Sequence, residues 1–269
     1  MFLSVDVGNT QTTIGLFEDE GKLVRQWRMA TDRTDTADQL HERLYGYFQM
    51  YDLSLNSVTY AAIASVVPIL AQSWQRMVRM GLSIDPLMID ATRDCGIAIN
   101  MPDPRQVGAD RIANALAAIT TYGAPVIVVD FGTATNIDVV DHTGAFRGGA
   151  IMPGLLLSAN SLFSRAAKLS SVPLVMPPHA LGDSTETAVQ SGIVIGAATQ
   201  IEGLVERIQR ELAAEGENIP RATVVGTGGY SETIAEATDI FDALDADITI
   251  RGIYQIWAHA VEKHNARAQ

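Results

Sequence analysis

The chain has 269 residues, 47% of them hydrophobic, which is core material for one large domain or two modest ones. Its formal net charge of −12 and the lack of a Lys/Arg cluster argue against nucleic acid or an anionic membrane as partner, because both are held by concentrated positive charge. One cysteine, Cys95, excludes an intrachain disulfide, and the N-terminus enters an apolar alternation with no signal-peptide pattern. No apolar run approaches the length of a membrane span, so the expectation is a soluble, cytoplasmic protein.

In chain order, Leu3, Val5 and Val7 alternate as a strand, and Ile14 and Leu16 resume the alternation after a polar turn. In that turn Gly8 leaves room for close approach of a ligand. Asn9, Thr10, Thr12 and Thr13 add side-chain donors to the main-chain N–H groups, a combination suited to phosphate oxygens. Asp6 stands where a phosphate-bound Mg²⁺ needs oxygen ligands. Taken alone, the stretch reads equally well as an ordinary β-hairpin with a polar turn. Glu18 to Gly21 is a second turn signal, leading to a strand over Lys22–Met29.

Thr34 or Asp35 can cap a helix with Leu40, Leu44, Tyr47, Phe48 and Tyr51 on one face, and His41 on it reads as a surface or packing residue. Val58–Val67 reads as a buried strand, and Pro68 and Gly81 bracket a helix on which Trp74, Met77 and Met80 read as core or interface packing. A short strand over Pro86–Asp90 and a Pro-rich loop over Asn100–Gln106 follow. Gly108 and Ala109 then precede a helix carrying Ile112, Leu116 and Ile119, which Gly123 can end. Asp110 and Arg111 in its first turn have a plain reading, a charge favoured by the helix dipole beside a solvated neighbour. They also have a chemical one, a proton acceptor for a hydroxyl beside a fork for a carboxylate.

Val126–Val140 repeats the first hairpin: apolar run, Asp130, one apolar residue, Gly132, then Thr133 and further small polar residues, then a second apolar run. Asp6 and Asp130 stand 124 positions apart, close to half the chain. A unit repeated at half-length suggests duplicated domains facing each other across a cleft. The repeat resembles the acetate and sugar kinase, Hsp70 and actin superfamily. The expectation is therefore an α/β chain of two duplicated actin-like (ribonuclease H-like) domains with mixed sheets flanked by helices, spanning 1–116 and 117–269.

Beyond the second turn, Asp141–Gly144 closes a hairpin in which His142 is a turn residue. Gly148–Gly154 precedes a helical pattern over Leu155–Leu169, and Pro173–His179 reads as a loop, either plain connection or a cover for the acceptor site. Gly192, Gly196 and Gly203 interrupt a long helical pattern over Thr185–Glu215 and suggest close packing. Arg221–Tyr230 runs from a strand into a glycine-rich turn. A last helix over about Ile250–Lys263 buries Ile253, Ile256 and Trp257. There is no GxxxxGK[ST] phosphate loop and no protein-kinase lysine motif.

Five segments in register, Asp6–Thr10, Val107–Arg111, Asp130–Ala134, Gly148–Gly154 and Gly182–Gly192, resemble the type III pantothenate kinases over nearly the whole chain. The resemblance implies ATP-dependent phosphorylation of pantothenate at the first step of coenzyme A biosynthesis, with Mg²⁺ and a monovalent cation, K⁺ or NH₄⁺. By resemblance, Asp6, Val7, Gly8, Asn9, Thr10, Gln11, Thr12, Thr13 and Thr133 contact the nucleotide phosphates, Asp6 serves Mg²⁺ through them, and Asp130 binds the monovalent cation. Gly108, Ala109, Asp110, Arg111 and Thr185 line the pantothenate pocket, with Asp110 as proton acceptor. The glycine-rich turn after Arg221 reads by itself as a tight strand-to-helix connection, while the resemblance to the actin-like superfamily implies that it lies under the adenosine. Met101 stands where the family usually has a substrate-contacting Tyr, which removes a hydroxyl partner. The resemblance and the glycine-rich helix together imply a homodimer with the acceptor pocket at the subunit interface. A non-catalytic regulator of the same fold and a kinase for another small alcohol are the other functions open to this sequence.

Overall fold

The computed structural model describes residues 1–18, 20–165 and 171–268. The chain divides into two compact units, one made of Met1–Ala117 together with the segment from Asp247 onward, the other of Ala118–Ala246.

In the first unit, β1 (Phe2–Val7), β2 (Gln11–Phe17) and β3 (Leu23–Ala30) form an antiparallel meander. The chain then passes through α1 (Ala37–Gln49) to β4 (Tyr60–Ser65), which pairs parallel with β1, and through α2 (Pro68–Gly81) to the short edge strand β5 (Leu87–Met88). The sheet order is β3-β2-β1-β4-β5. The central strand β1 is covered on both faces. Leu3, Val5 and Val7 join a core with Leu40, Leu44 and Phe48 of α1 and Leu70, Trp74 and Met77 of α2. Phe2 instead meets Tyr254 and Trp257 of α8 (Ile248–Ala268), with ring centroids 5.3 and 4.6 Å away. Burial on this second face extends to Ser4, whose hydroxyl donates to Gly15 O at 3.3 Å.

The second unit follows the same path. β6 (Val126–Phe131), β7 (Ala134–Val140) and β8 (Phe146–Pro153) form the meander. β9 (Thr223–Gly228) pairs parallel with β6, and β10 (Ala243–Leu244) forms the edge, giving the order β8-β7-β6-β9-β10. Its helices are α4 (Leu155–Arg165), α5 (Thr185–Gln190), α6 (Gly196–Ala213) and α7 (Ser231–Ala235), with a π-helical turn over Ser191–Ile195 between α5 and α6. Val194, Ala198, Ile201 and Val205 pack against Ile127, Val129 and Phe131 of β6. These matching sheets bear out the α/β reading with duplicated mixed sheets.

Several sequence expectations change in detail. The last helix begins at Ile248 and belongs to the first unit, not to a domain running from 117 to 269, because Gly252 lets it touch the backbone of Ala113 and Thr249 donates to Asn114 Oδ1 at 2.7 Å. The first helix is capped by Thr36, one residue beyond the candidates. Its hydroxyl accepts from Gln39 N while the Gln39 side chain accepts from Thr36 N, a reciprocal box that typically contributes about 1 kcal/mol. Met80 is 70% exposed and so is not part of this chain's core, whereas Trp74 and Met77 are buried. His41 packs against Gly81. Gly148 and Gly149 lie inside β8, and the helix expected over Leu155–Leu169 is seen to Arg165, its remaining residues lying outside those described, as does Asp19 of the second turn. Gly192 and Gly203 have open space where a Cβ would stand, so the close packing expected of them is not made among the described residues.

Candidate active site

The first unit carries a polar turn at the carboxyl end of its sheet. Val7 pairs with Thr12 across the hairpin, leaving Gly8, Asn9 and Thr10 as the connection, and Gly8 N donates to Gln11 O at 3.1 Å. A Cβ on Gly8 would stand 2.8 Å from that same carbonyl, so the turn needs glycine. Asp6 sits just below it, partly accessible at the end of an otherwise buried strand. Asn9, Thr10 and Gln11 are exposed and Thr13 is partly so. Val7 and Thr12 face inward instead. Val7 is fully buried with its carbonyl accepting from Val66 N, and the Thr12 hydroxyl is 2.9 Å from that of Thr31. These two support the turn from beneath.

Val66 ties the turn to the second element of this unit. It follows β4 directly, and its side chain lies 3.6 Å from where a Gly108 Cβ would be. Gly108 opens α3 (Ala109–Tyr122), and Asp110 in the first turn of that helix folds back so far that any Cβ on Gly108 would overlap its Oδ1. Arg111 N donates to Asp110 Oδ1 at 2.8 Å. Although part of the residue's surface is accessible, protein atoms crowd the carboxyl. The resulting desolvation raises its pKa above the ordinary value, against the opposing effects of the Arg111 N–H and guanidinium. A carboxylate of raised basicity at a helix start, next to a guanidinium, suits proton acceptance from a bound hydroxyl. Met101 lies half-buried in a bend of the preceding loop.

The second unit repeats the turn. Asp130 pairs with Asn136 and Phe131 with Thr135, so Gly132 and Thr133 form the connection, and Gly132 N donates to Ala134 O at 3.0 Å. Thr133 is exposed, and its carbonyl accepts from Gly154 N at 3.2 Å, which fixes the start of α4 against the turn. Parallel pairing sets Gly228 beside Phe131. Gly228 has φ +88°, and a Cβ there would stand 2.7 Å from both Asp130 Oδ1 and Phe131 N. The Asp130 carboxylate is thus seated in a cradle of glycine backbone. That role for Gly228 was hidden in the sequence, where only a glycine-rich turn could be read. Thr185 opens α5 and, with Leu162, Val189, Gly192 and Ile193, lines a groove of about 450 Å³.

Cys95 is buried and its thiol is pushed up to about 11 by burial, with Asp90 and Asp94 adding to the shift, so it is no nucleophile at neutral pH.

The sequence profile of the type III pantothenate kinase family matches residues 2–207. The chain belongs to the type III pantothenate kinase family. Relatives carrying that name include one from Thermomicrobium roseum, 42% identical over 94% of this chain and 95% of its own, and one from Bacillus cytotoxicus, 38% identical over 98% of each. Family membership makes the chain a kinase, a phosphotransferase with an alcohol acceptor. Among solved structures, a protein of Campylobacter jejuni described as a Baf-family transcriptional activator superposes with a TM-score of 0.61 at 18% identity over 97% of this chain and 99% of that one. The activator of 2-hydroxyisocaproyl-CoA dehydratase from Clostridium difficile, solved with bound ADPNP, superposes at 0.55 and 12% identity over 98% and 97%. These two likenesses show the fold alone.

Proposed function

We propose that the chain transfers the terminal phosphoryl group of ATP to the primary alcohol of pantothenate, the entry to coenzyme A synthesis, in the cytoplasm. Beyond family membership, the observation that carries this reading is the Asp110 carboxyl, folded over Gly108, raised in pKa by burial and followed at once by Arg111. Asp110 accepts the hydroxyl proton as the alcohol oxygen attacks, and Arg111 holds the pantothenate carboxylate. Thr185 contributes to the acceptor pocket, and Met101 contributes apolar contact only. The donors of Gly8 to Gln11, with Thr13 and Thr133, hold phosphate oxygens. Measuring ADP release with pantothenate, related amides and sugars tests the assignment, and a preference for a sugar or no turnover with any alcohol would overturn it.

The residues fit the expected ions. Among the described residues no group of three or more His, Cys, Asp or Glu could cage a metal, and Mg²⁺ in phosphoryl transfer commonly takes one or two carboxylates plus the phosphates themselves. Asp6, accessible beside the first turn, supplies that carboxylate. Asp130, in its glycine cradle, is the ligand for K⁺ or NH₄⁺, which when bound offsets repulsion between this carboxylate and the phosphates. Turnover and melting temperature in the presence of ATP should both rise with K⁺ or NH₄⁺ over Na⁺ or Tris, and equal values in all four would remove Asp130 from that role.

A homodimer with the acceptor pocket at its interface accounts for the open glycines of the second unit. Leu157 is 52% exposed and Leu156 46%, the Thr185 groove is lined with apolar side chains, and Gly192 and Gly203 leave room for another helix. The run Thr185–Ala213 is long and apolar enough to cross a membrane by length and composition, contrary to the sequence expectation. Its buried stripe belongs to the second unit's core, which favours a globular role and leaves the exposed side to a second copy. Sedimentation velocity should give a dimer at assay concentrations. A fully active monomer would sink this arrangement.

A further inference from the structure

The first phosphate turn has a cation beside it that neither the repeat nor the motifs single out. Arg33 is exposed on the loop after β3, and its Nη2 donates to Asn9 Oδ1 at 3.1 Å. Its loop is pinned on both sides. Two residues earlier, Thr31 N donates to Thr10 O at 2.9 Å, and the Thr31 hydroxyl meets that of Thr12. Two residues later, buried Asp35 accepts both arms of the Arg43 guanidinium at 2.6 and 2.7 Å. Between these anchors Asp32 Oδ1 accepts from Thr34 N and Thr34 Oγ1 at 2.9 and 2.7 Å, so that this acid is engaged with its own loop. Among the described residues Arg33 has no carboxylate partner. Guanidinium carries five N–H donors in a planar fork that matches phosphate oxygens, and Asn9 uses only one.

We propose that Arg33 binds an ATP phosphate, and is thereby a further catalytic residue of the kinase, delivered to the turn by the Thr31 and Asp35 anchors. A chain of net charge −12 that must hold a polyphosphate needs local positive charge where the phosphates sit, and the turn itself offers only neutral donors. A loop fastened at Thr31 and Asp35 holds the arginine near the turn at little conformational cost. Once the phosphates are bound, the guanidinium offsets their negative charge, and any contact with the transferring group persists into the transition state. Asn9 keeps the side chain aimed at the turn.

The inference rests on this turn receiving the nucleotide, and the test separates the two. Binding of ATP, ADP and adenosine to the wild-type chain, Arg33→Ala and Arg33→Lys is measured by calorimetry, together with steady-state kinetics. The expected result is a loss of about 10-fold or more in ATP affinity for Arg33→Ala, the scale of one charged hydrogen bond. Adenosine affinity, KM for pantothenate and melting temperature should be unchanged, and Arg33→Lys should recover part of the loss because it keeps the charge without the fork. If Arg33→Ala binds ATP as the wild type does, or loses adenosine and ATP equally, Arg33 only shapes the loop and the proposal falls. A wild-type chain that binds no ATP would overturn both the proposal and the nucleotide assignment beneath it.

Discussion

Asp110→Asn is expected to lower kcat by about 10² to 10⁴-fold, the usual loss when a positioned general base is removed, while pantothenate still binds. Asparagine keeps the side chain's shape and the oxygen that accepts from Arg111 N, so the helix start is preserved. It cannot take up a proton. The loss should not be larger, because a loose phosphoryl-transfer transition state draws most of its stabilisation from positioning and charge neutralisation.

The raised pKa of Asp110 adds two signatures. The acid limb of the wild-type rate profile should lie above the ordinary carboxylate range, since the base works only when ionised. Stability should move the other way. A carboxyl whose pKa is higher folded than unfolded binds its proton more tightly when folded, so its ionisation costs stability above the folded pKa, and that cost vanishes below the unfolded one. Asp110→Asn should therefore melt higher than the wild type at neutral pH, with the difference closing toward acid pH. Arg111→Ala should instead raise KM for pantothenate, with a smaller effect on kcat if the alcohol is displaced. Kinetics and calorimetry on both variants check this. Retention of wild-type kcat by Asp110→Asn would reduce Asp110 to a helix-start residue and turn attention to Asp6.

Gly228→Ala and Gly229→Ala should part company sharply although they are neighbours. At Gly228 a methyl group meets backbone atoms of Phe131 and the Asp130 carboxylate at 2.7 Å in a chain segment with φ +88°. Backbone cannot yield as the end of a flexible side chain can, and positive φ alone costs an L-residue on the order of 1–3 kcal/mol. The variant should lose at least that much stability and, by displacing Asp130, its response to K⁺ as well. At Gly229 a Cβ meets nothing within 4 Å, so Gly229→Ala should fold as the wild type does. This makes it a clean probe of whether the glycine-rich turn lies under the nucleotide. If so, KM for ATP rises with stability unchanged; an unaltered KM would mean that the turn only links β9 to α7.

By itself the sequence determined the local pieces and their duplication. Alternation through Leu3–Val7 and the apolar run Val126–Val129, each leading to an acid and a glycine turn, announce two strands and two copies of one hairpin. Proline at position 68 and glycine at 123 mark helix ends because their effects are local: a fixed φ, and access to φ +81°. The family motifs are short and contiguous for the same reason, so Asp110 and Arg111 were legible as candidates before any fold was known.

Only the tertiary structure decided which residues meet. That Gly228 cradles Asp130 depends on parallel pairing of strands almost 100 positions apart in sequence, and that α8 returns to the first unit depends on the missing side chain at Gly252, which no periodicity reveals. Burial separated Thr12 from Thr13, since alternate residues of a strand face opposite ways and one of those ways is the core. Arg33 was not legible as a phosphate ligand, because nothing in an exposed Asp-Arg-Thr segment tells that its neighbours fasten it beside Asn9. Desolvation of Asp110 is likewise a property of surrounding atoms, and a carboxyl acquires its basicity from them rather than from its place in the chain.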